Sequence, residues 1–220
     1  MYSKRSYAKE VTVSMERFFV FEGIDGAGTT TQSKMLYDAL CSVNCHAFLT
    51  WEPTDSPVGS VIRSILNGTY RADHATLSYL FAADRHDHLW NPDHGIYHML
   101  RRGVYVVQDR YLFSSLAYQS AHSGYDLIYQ LNKDFPLPSI TFFFDIPVDI
   151  SIRRLEERNG IQEIFEHQEF QQQLRIRYMR AFDDFSKQTE IVIIDGTGTP
   201  EEIHAQVWDR VRQRISMASP

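Results

Sequence analysis

The chain has 220 residues, 43% hydrophobic and 23% charged, with a formal net charge of −6. That is long enough for one domain with a sizeable core, and the composition excludes a disordered chain. The acidic balance argues against a nucleic-acid surface, and no apolar run is long enough to make this a membrane protein.

Residues 1–16 are polar and mixed in charge, without the apolar core of a secretion signal; they read as an extension before a single domain over 17–220. Residues 18–21, Phe-Phe-Val-Phe, read as a strand buried on both faces. A glycine-rich turn follows. A helix over 30–40 comes next, with Met35, Leu36, Ala39 and Leu40 at helical spacing. Residues 46–51 read as a second strand, stopped by Glu52-Pro53-Thr54. A helix over 58–66 closes at Asn67-Gly68. A long helix over 73–90 has Asp73 as its N-cap and Pro92 as its stop, and a short one fills 92–101.

Residues 103–108 are the third strand. Helices over 112–121 and 125–131 lead to the fourth strand, 140–144. A helix over 147–158 is broken by Asn159-Gly160, and another runs over 165–185. The fifth strand, 190–194, precedes a last helix over 200–215 that Pro200 opens. Apolar strands alternating with helices predict a parallel sheet covered on both faces, with ligands at the carboxyl ends of the strands. Cys41 and Cys45 are the only cysteines. They are too few for a zinc site or a disulfide framework, and fit reduced thiols in a cytoplasmic protein.

Strand, glycine loop and helix form the context of a phosphate loop. Its backbone N–H groups and the helix start would cradle a polyphosphate. The hydroxyl of Thr30 stands where such a loop places a magnesium ligand. The usual signature G-x-x-x-x-G-K-[ST] is broken, however, because Thr29 occupies the lysine position. A plain glycine-rich strand-to-helix turn therefore stays open. Lys34, one turn beyond Thr30, is expected to point away from the phosphates along the helix.

Three further clusters bear chemistry. Phe81 and Arg85 share a helix face and could stack and hydrogen-bond a flat base. Taken alone, they read more simply as a core phenylalanine and a surface arginine paired with Asp84 or Asp87. Asp109-Arg110 ends the third strand and could hold Mg²⁺ and a phosphate. Ser115, Tyr118 and Gln119 face one way and suit the polar edge of a pyrimidine. His86 and His88 diverge on their helix, so a metal pair is discounted for a solvated helix face. Asn132-Lys133-Asp134-Phe135 fails as a guanine-nucleotide motif, because Phe135 stands at the required aspartate.

The glycine loop Gly-Ile-Asp-Gly-Ala-Gly, then Phe-Ala-Ala-Asp-Arg, then Asp-Arg-Tyr-x-x-Ser-Ser-x-Ala-Tyr-Gln resemble, in order, the motifs of bacterial thymidylate kinases, which are P-loop nucleoside monophosphate kinases. The likeness extends over about 17–210. It implies a three-layer α/β fold with a five-stranded parallel sheet in the order 2-3-1-4-5, a lid at about 153–166 and a homodimer. It implies transfer of the γ-phosphoryl group of ATP to dTMP, with Mg²⁺, in dTTP synthesis. ATP would lie on Gly23, Gly26, Ala27, Gly28, Thr29, Thr30 and Thr31, with metal at Thr30 and Asp109. Phe81 would stack on thymine, Arg85 would bond its edge, and Glu52, Ser115 and Gln119 would complete the base site. Tyr118 would crowd the ribose 2′ position. Asp25 would meet the 3′-hydroxyl or a magnesium water. Arg110 would grip the acceptor phosphate, with Arg63 assisting.

The chain departs from that pattern at three places: Thr29 for the loop lysine, Trp51 for the arginine before Glu-Pro, and Ile164 for the arginine before Phe165-Glu166. Gly26 fills a position where some members carry arginine. The expectation is that lid arginine, chiefly Arg154 with Arg158 helping beside Arg153, supplies the missing charge. The competing expectation is a non-catalytic nucleotide sensor of the same fold.

Overall fold

The computed structural model describes residues 14–159 and 164–217. Most of the expected N-terminal extension and residues 160–163 of the expected lid therefore lie outside the described residues. A short 3₁₀ turn, Met15–Arg17, leads into β1, Phe18–Gly23. Then follow α1 (Thr29–Ser42), β2 (Ala47–Trp51), α2 (Pro57–Leu66), α3 (His74–Trp90) and α4 (Ile96–Arg101). Next come β3 (Tyr105–Asp109), α5 (Leu112–Tyr118), α6 (Ser120–Ser123) and α7 (Tyr125–Asn132). The chain continues with β4 (Ile140–Asp145), α8 (Val148–Asn159), α9 (Ile164–Phe185), β5 (Glu190–Asp195) and α10 (Pro200–Met217).

The five strands form one parallel sheet in the order β2-β3-β1-β4-β5. β1 is central, pairing Phe21 with Asp109 on one side and with Phe142 on the other. Every residue of β1 is buried. Because side chains alternate between the two faces, a strand buried throughout must be covered on both. One group of helices, α1 with α10, and another, α5 with α7 and α9, supply that cover.

Local chemistry sets the helix starts. Asp73 accepts from the N–H of Thr76 at 2.7 Å, and Ser56 accepts from that of Gly59 at 3.1 Å, with Pro57 in the first turn. Two expected helices change. The one expected over 92–101 starts at Ile96, because Gly95 is its cap. The one expected over 112–121 breaks at Gln119 into α5 and α6.

The C-terminal ends of β1, β2 and β3 meet along one edge of the sheet. They bring Glu22, Asp25, Glu52, Asp109 and Arg110 together there. Arg110 has φ +64°, a left-handed conformation that residues other than glycine rarely adopt, at the turn between β3 and α5. Strain of this kind clusters where geometry serves a function.

Candidate active site

The loop after β1 carries its two tightest backbone constraints at glycines. Gly28 has φ +94° and caps α1. Gly26 has φ +78°, and a Cβ there would meet the carbonyl oxygen of Ser151 at 2.9 Å. Ser151 also donates its hydroxyl to the carbonyl of Asp25 at 2.6 Å, so α8 sits directly on the loop. Beside the loop lies a cavity of about 300 Å³, lined by Gly26, Ala27, Gly28, Thr31, Arg154 and Pro200 among others. Backbone N–H groups at a helix start favour an anion there.

A second cavity, of about 1060 Å³, takes in Thr30 among its lining residues. Its far wall holds Phe81, Arg85, Ser115, Tyr118 and Gln119; its near end holds Asp25, Thr30, Asp109 and Arg110. Arg85 is not a surface residue paired with Asp84 or Asp87. It is 1% exposed and donates to Glu52, to Ser115 Oγ at 3.0 Å and to Asn132 Oδ1, between the rings of Tyr111 and Phe135. Asp84 turns instead to the backbone N–H and hydroxyl of Thr54 and to the hydroxyl of Ser56. Burial alone would push the Glu52 carboxyl up, but Arg85 and His88 outweigh it and hold the carboxyl below its ordinary value.

At the near end, Thr30 donates its hydroxyl to Asp109 Oδ2 at 2.5 Å, while Asp109 Oδ1 is buried without a partner. Arg110 reaches Asp25 at 2.8 Å and the carbonyl of Gly23 at 3.1 Å, and lies over the Tyr118 ring. The Tyr118 hydroxyl and Gln119 Oε1 are likewise buried without a hydrogen-bond partner. Orphaned polar atoms of this kind are rare in a folded interior unless something else satisfies them. Here three of them line one cavity.

The thymidylate kinase family model matches residues 21–207 of this chain. The chain belongs to the thymidylate kinase family. Its relatives include proteins bearing the name thymidylate kinase from Treponema pallidum, 36% identical over 90% of this chain and 96% of that one, and from Pyrococcus abyssi, 35% identical over 90% and 97%. Another, from Methanococcus maripaludis, is 33% identical over 91% of this chain and 98% of its own.

Within this kinase framework the structure brings most expected site residues together and leaves some apart. Arg63 does not line the larger cavity. It donates to the carbonyl of Pro53 at 3.1 Å and pairs with Asp55 at 3.3 Å. Arg154 lines the smaller cavity, where it donates to the carbonyls of Gly26 at 3.2 Å and Gly196 at 3.0 Å. The side chain of Arg158 lies outside the described residues. Lys34, expected to point away from the phosphates of the loop, is absent from the loop cavity and lines the larger cavity beside Thr30 and Ser33.

Several residues of the site carry no role in the sequence reading. His88, expected on a solvated face, is buried, with Nδ1 3.1 Å from Glu52 and Nε2 2.7 Å from Thr50. Its burial depends on β2 packing against α3, which helical spacing does not reveal. Glu22 is fully buried and accepts from the backbone N–H groups of Tyr111 and Ser114 and from the hydroxyls of Ser114 and Tyr178. Its one sequence signal was a carboxylate at the end of a wholly apolar strand. Gln171 of α9 donates to Asp25 Oδ2 at 3.3 Å.

Proposed function

We propose that this kinase places ATP on the loop and dTMP in the larger cavity, and transfers the γ-phosphoryl group to give dTDP and ADP. One arrangement carries the reading: the smaller cavity is lined by the loop and Thr31, and the larger one takes in Thr30, the next residue back, and an aromatic and hydrogen-bonding wall of the size a nucleotide needs. Phe81 stacks on the base, and Arg85, Ser115 and Gln119 read its edge. Glu52 acts behind them by holding Arg85. The free hydroxyl of Tyr118 faces the sugar. Asp25 takes the 3′-hydroxyl, and Arg110 the acceptor phosphate.

The acceptor phosphate oxygen is already a nucleophile, so no strong base is required. It forms a bond to the γ-phosphorus as the bond to ADP breaks, and ADP leaves with the electron pair. The transition state asks for alignment and positive charge. The loop N–H groups and Arg110 supply both. Asp109 Oδ1, buried and unpartnered, with Thr30 beside it, fits a Mg²⁺ ion. When bound, that ion would neutralise phosphate charge.

The test is steady-state ADP release with dTMP, dUMP, dCMP and dGMP in parallel. Fastest turnover with dTMP supports the reading. Binding of dTMP and ATP without ADP release would replace it with the sensor reading. The homodimer rests on the family resemblance and is testable by sedimentation. Free Cys41 and Cys45 suit a cytoplasmic setting. Among the described residues no helix is long and apolar enough to cross a membrane.

A further inference from the structure

Among the described residues, the larger cavity is lined by three cations, Lys34, Arg85 and Arg110, and three carboxylates, Asp25, Glu52 and Asp109. Two of the cations already have a carboxylate partner, although Arg110 is also the residue proposed to meet the acceptor phosphate. Arg85 is closed against Glu52, and Arg110 against Asp25. Lys34 is different. It is exposed, and makes no hydrogen bond or ion pair with the described residues.

Its place on α1 gives it a direction. Lys34 lies four residues beyond Thr30, so the two share a helix face. Helical side chains lean toward the N-terminus, which carries the ammonium group back over Thr30. Thr30 is bonded to Asp109, so Lys34 reaches toward the phosphate end of the cavity rather than the base end. The neighbouring positions cannot supply this charge. Thr29 is neutral and buried, Trp51 is neutral at the mouth of the same cavity, and Arg63 is turned onto Pro53 and Asp55.

We propose that Lys34 binds the phosphate of the acceptor nucleotide, supplying from the first helix the positive charge that Thr29 and Trp51 do not carry. The proposal rests on the reading of the larger cavity as the acceptor site. A lysine on a flexible stem suits the task, because it can follow the phosphate as the phosphoryl group arrives.

Calorimetric binding of dTMP and of thymidine, which lacks the phosphate, separates this role from a general effect on the cavity. Lys34→Gln should weaken dTMP about 10- to 100-fold, as losing a charged hydrogen bond does, and leave thymidine unchanged. Lys34→Arg should keep most of the dTMP affinity. The kcat/KM for dTMP should fall in parallel in Lys34→Gln, with an unchanged melting temperature, since the side chain is exposed and unbonded. Equal dTMP affinity in parent and Lys34→Gln overturns the proposal, as does an equal loss for dTMP and thymidine. A parent protein that binds neither compound would instead sink the acceptor-site reading itself.

Discussion

Arg85 directs two of its nitrogens at a single carboxylate oxygen of Glu52, Nε at 2.9 Å and Nη2 at 2.7 Å, with both side chains almost wholly buried. A pair in this setting is a poor source of net stability but a firm way of fixing one side chain against another. The other guanidinium contacts, to Ser115 and Asn132, aim Arg85 at the base end of the cavity. Arg85→Ala is therefore expected to do two things. It should lower kcat/KM for dTMP about 10- to 100-fold. It should also strip buried Glu52 of its guanidinium partner, leaving only His88 and Gln108, at a cost of up to about 3–5 kcal/mol in urea unfolding. An Arg85→Ala enzyme with unchanged kcat/KM for dTMP would remove Arg85 from base recognition.

Tyr118 places a buried hydroxyl beside Arg110 and Asp25, and burial pushes that phenol well above its ordinary pKa. It stays protonated at any working pH and acts by bulk and as a donor. Tyr118→Ala should narrow the preference for dTMP over its ribonucleotide counterpart. The ratio of the two kcat/KM values is the measurement, and an unmoved ratio places the sugar filter elsewhere.

Glu22 gives a pH dependence with a definite sign. Burial pushes its carboxyl from 4.5 to about 7, against the lowering pull of Ser114, Arg110 and the N–H groups it accepts. The folded state thus holds this proton more tightly than the unfolded chain. Its contribution to stability is full below the unfolded value and is lost as pH rises through about 7. Glu22→Gln keeps an acceptor for the two backbone N–H groups but cannot ionise. Urea unfolding at about pH 5 and about pH 8 should show a difference smaller in the variant than in the parent, by up to about 3 kcal/mol. Identical slopes in both proteins would assign the pH dependence to other groups.

Arg154 bears on the donor side. Its guanidinium is tied to carbonyls of Gly26 and Gly196 and lines the loop cavity, away from the phosphate end of the acceptor site. Were Arg154 the source of the missing charge in the transition state, Arg154→Ala would lower kcat with little change in KM for ATP. The observed contacts favour a rise in KM for ATP, with KM for dTMP unchanged. A fall in kcat alone would restore Arg154 as the source of that charge.

The strand pattern was legible because a buried parallel strand needs an apolar run, and 18–21, 104–107 and 142–144 each give one. That Phe81, Arg85, Ser115 and Gln119 share one cavity was legible because they lie in two short motifs of helical spacing. What escaped depended on contacts between distant segments. Glu52 and His88 stand 36 residues apart and meet only when β2 packs on α3. Glu22 and Tyr178 are 156 residues apart. Lys34 received no site from the sequence for a different reason. Helical spacing gives its face correctly, but which cavity that face borders depends on where β2 and β3 end.

The close seat of α8 on the phosphate loop constrains how this protein can change over time. Position 26 has a left-handed backbone and a carbonyl oxygen 2.9 Å from where a Cβ would stand. A single substitution introducing arginine there would meet both obstacles at once. The order of steps therefore matters: Ser151 and its helix must shift before the loop can acquire a cation of its own. Until then, compensation for Thr29 is confined to residues reaching in from outside the loop, and a helix-borne lysine is available in one step without disturbing it.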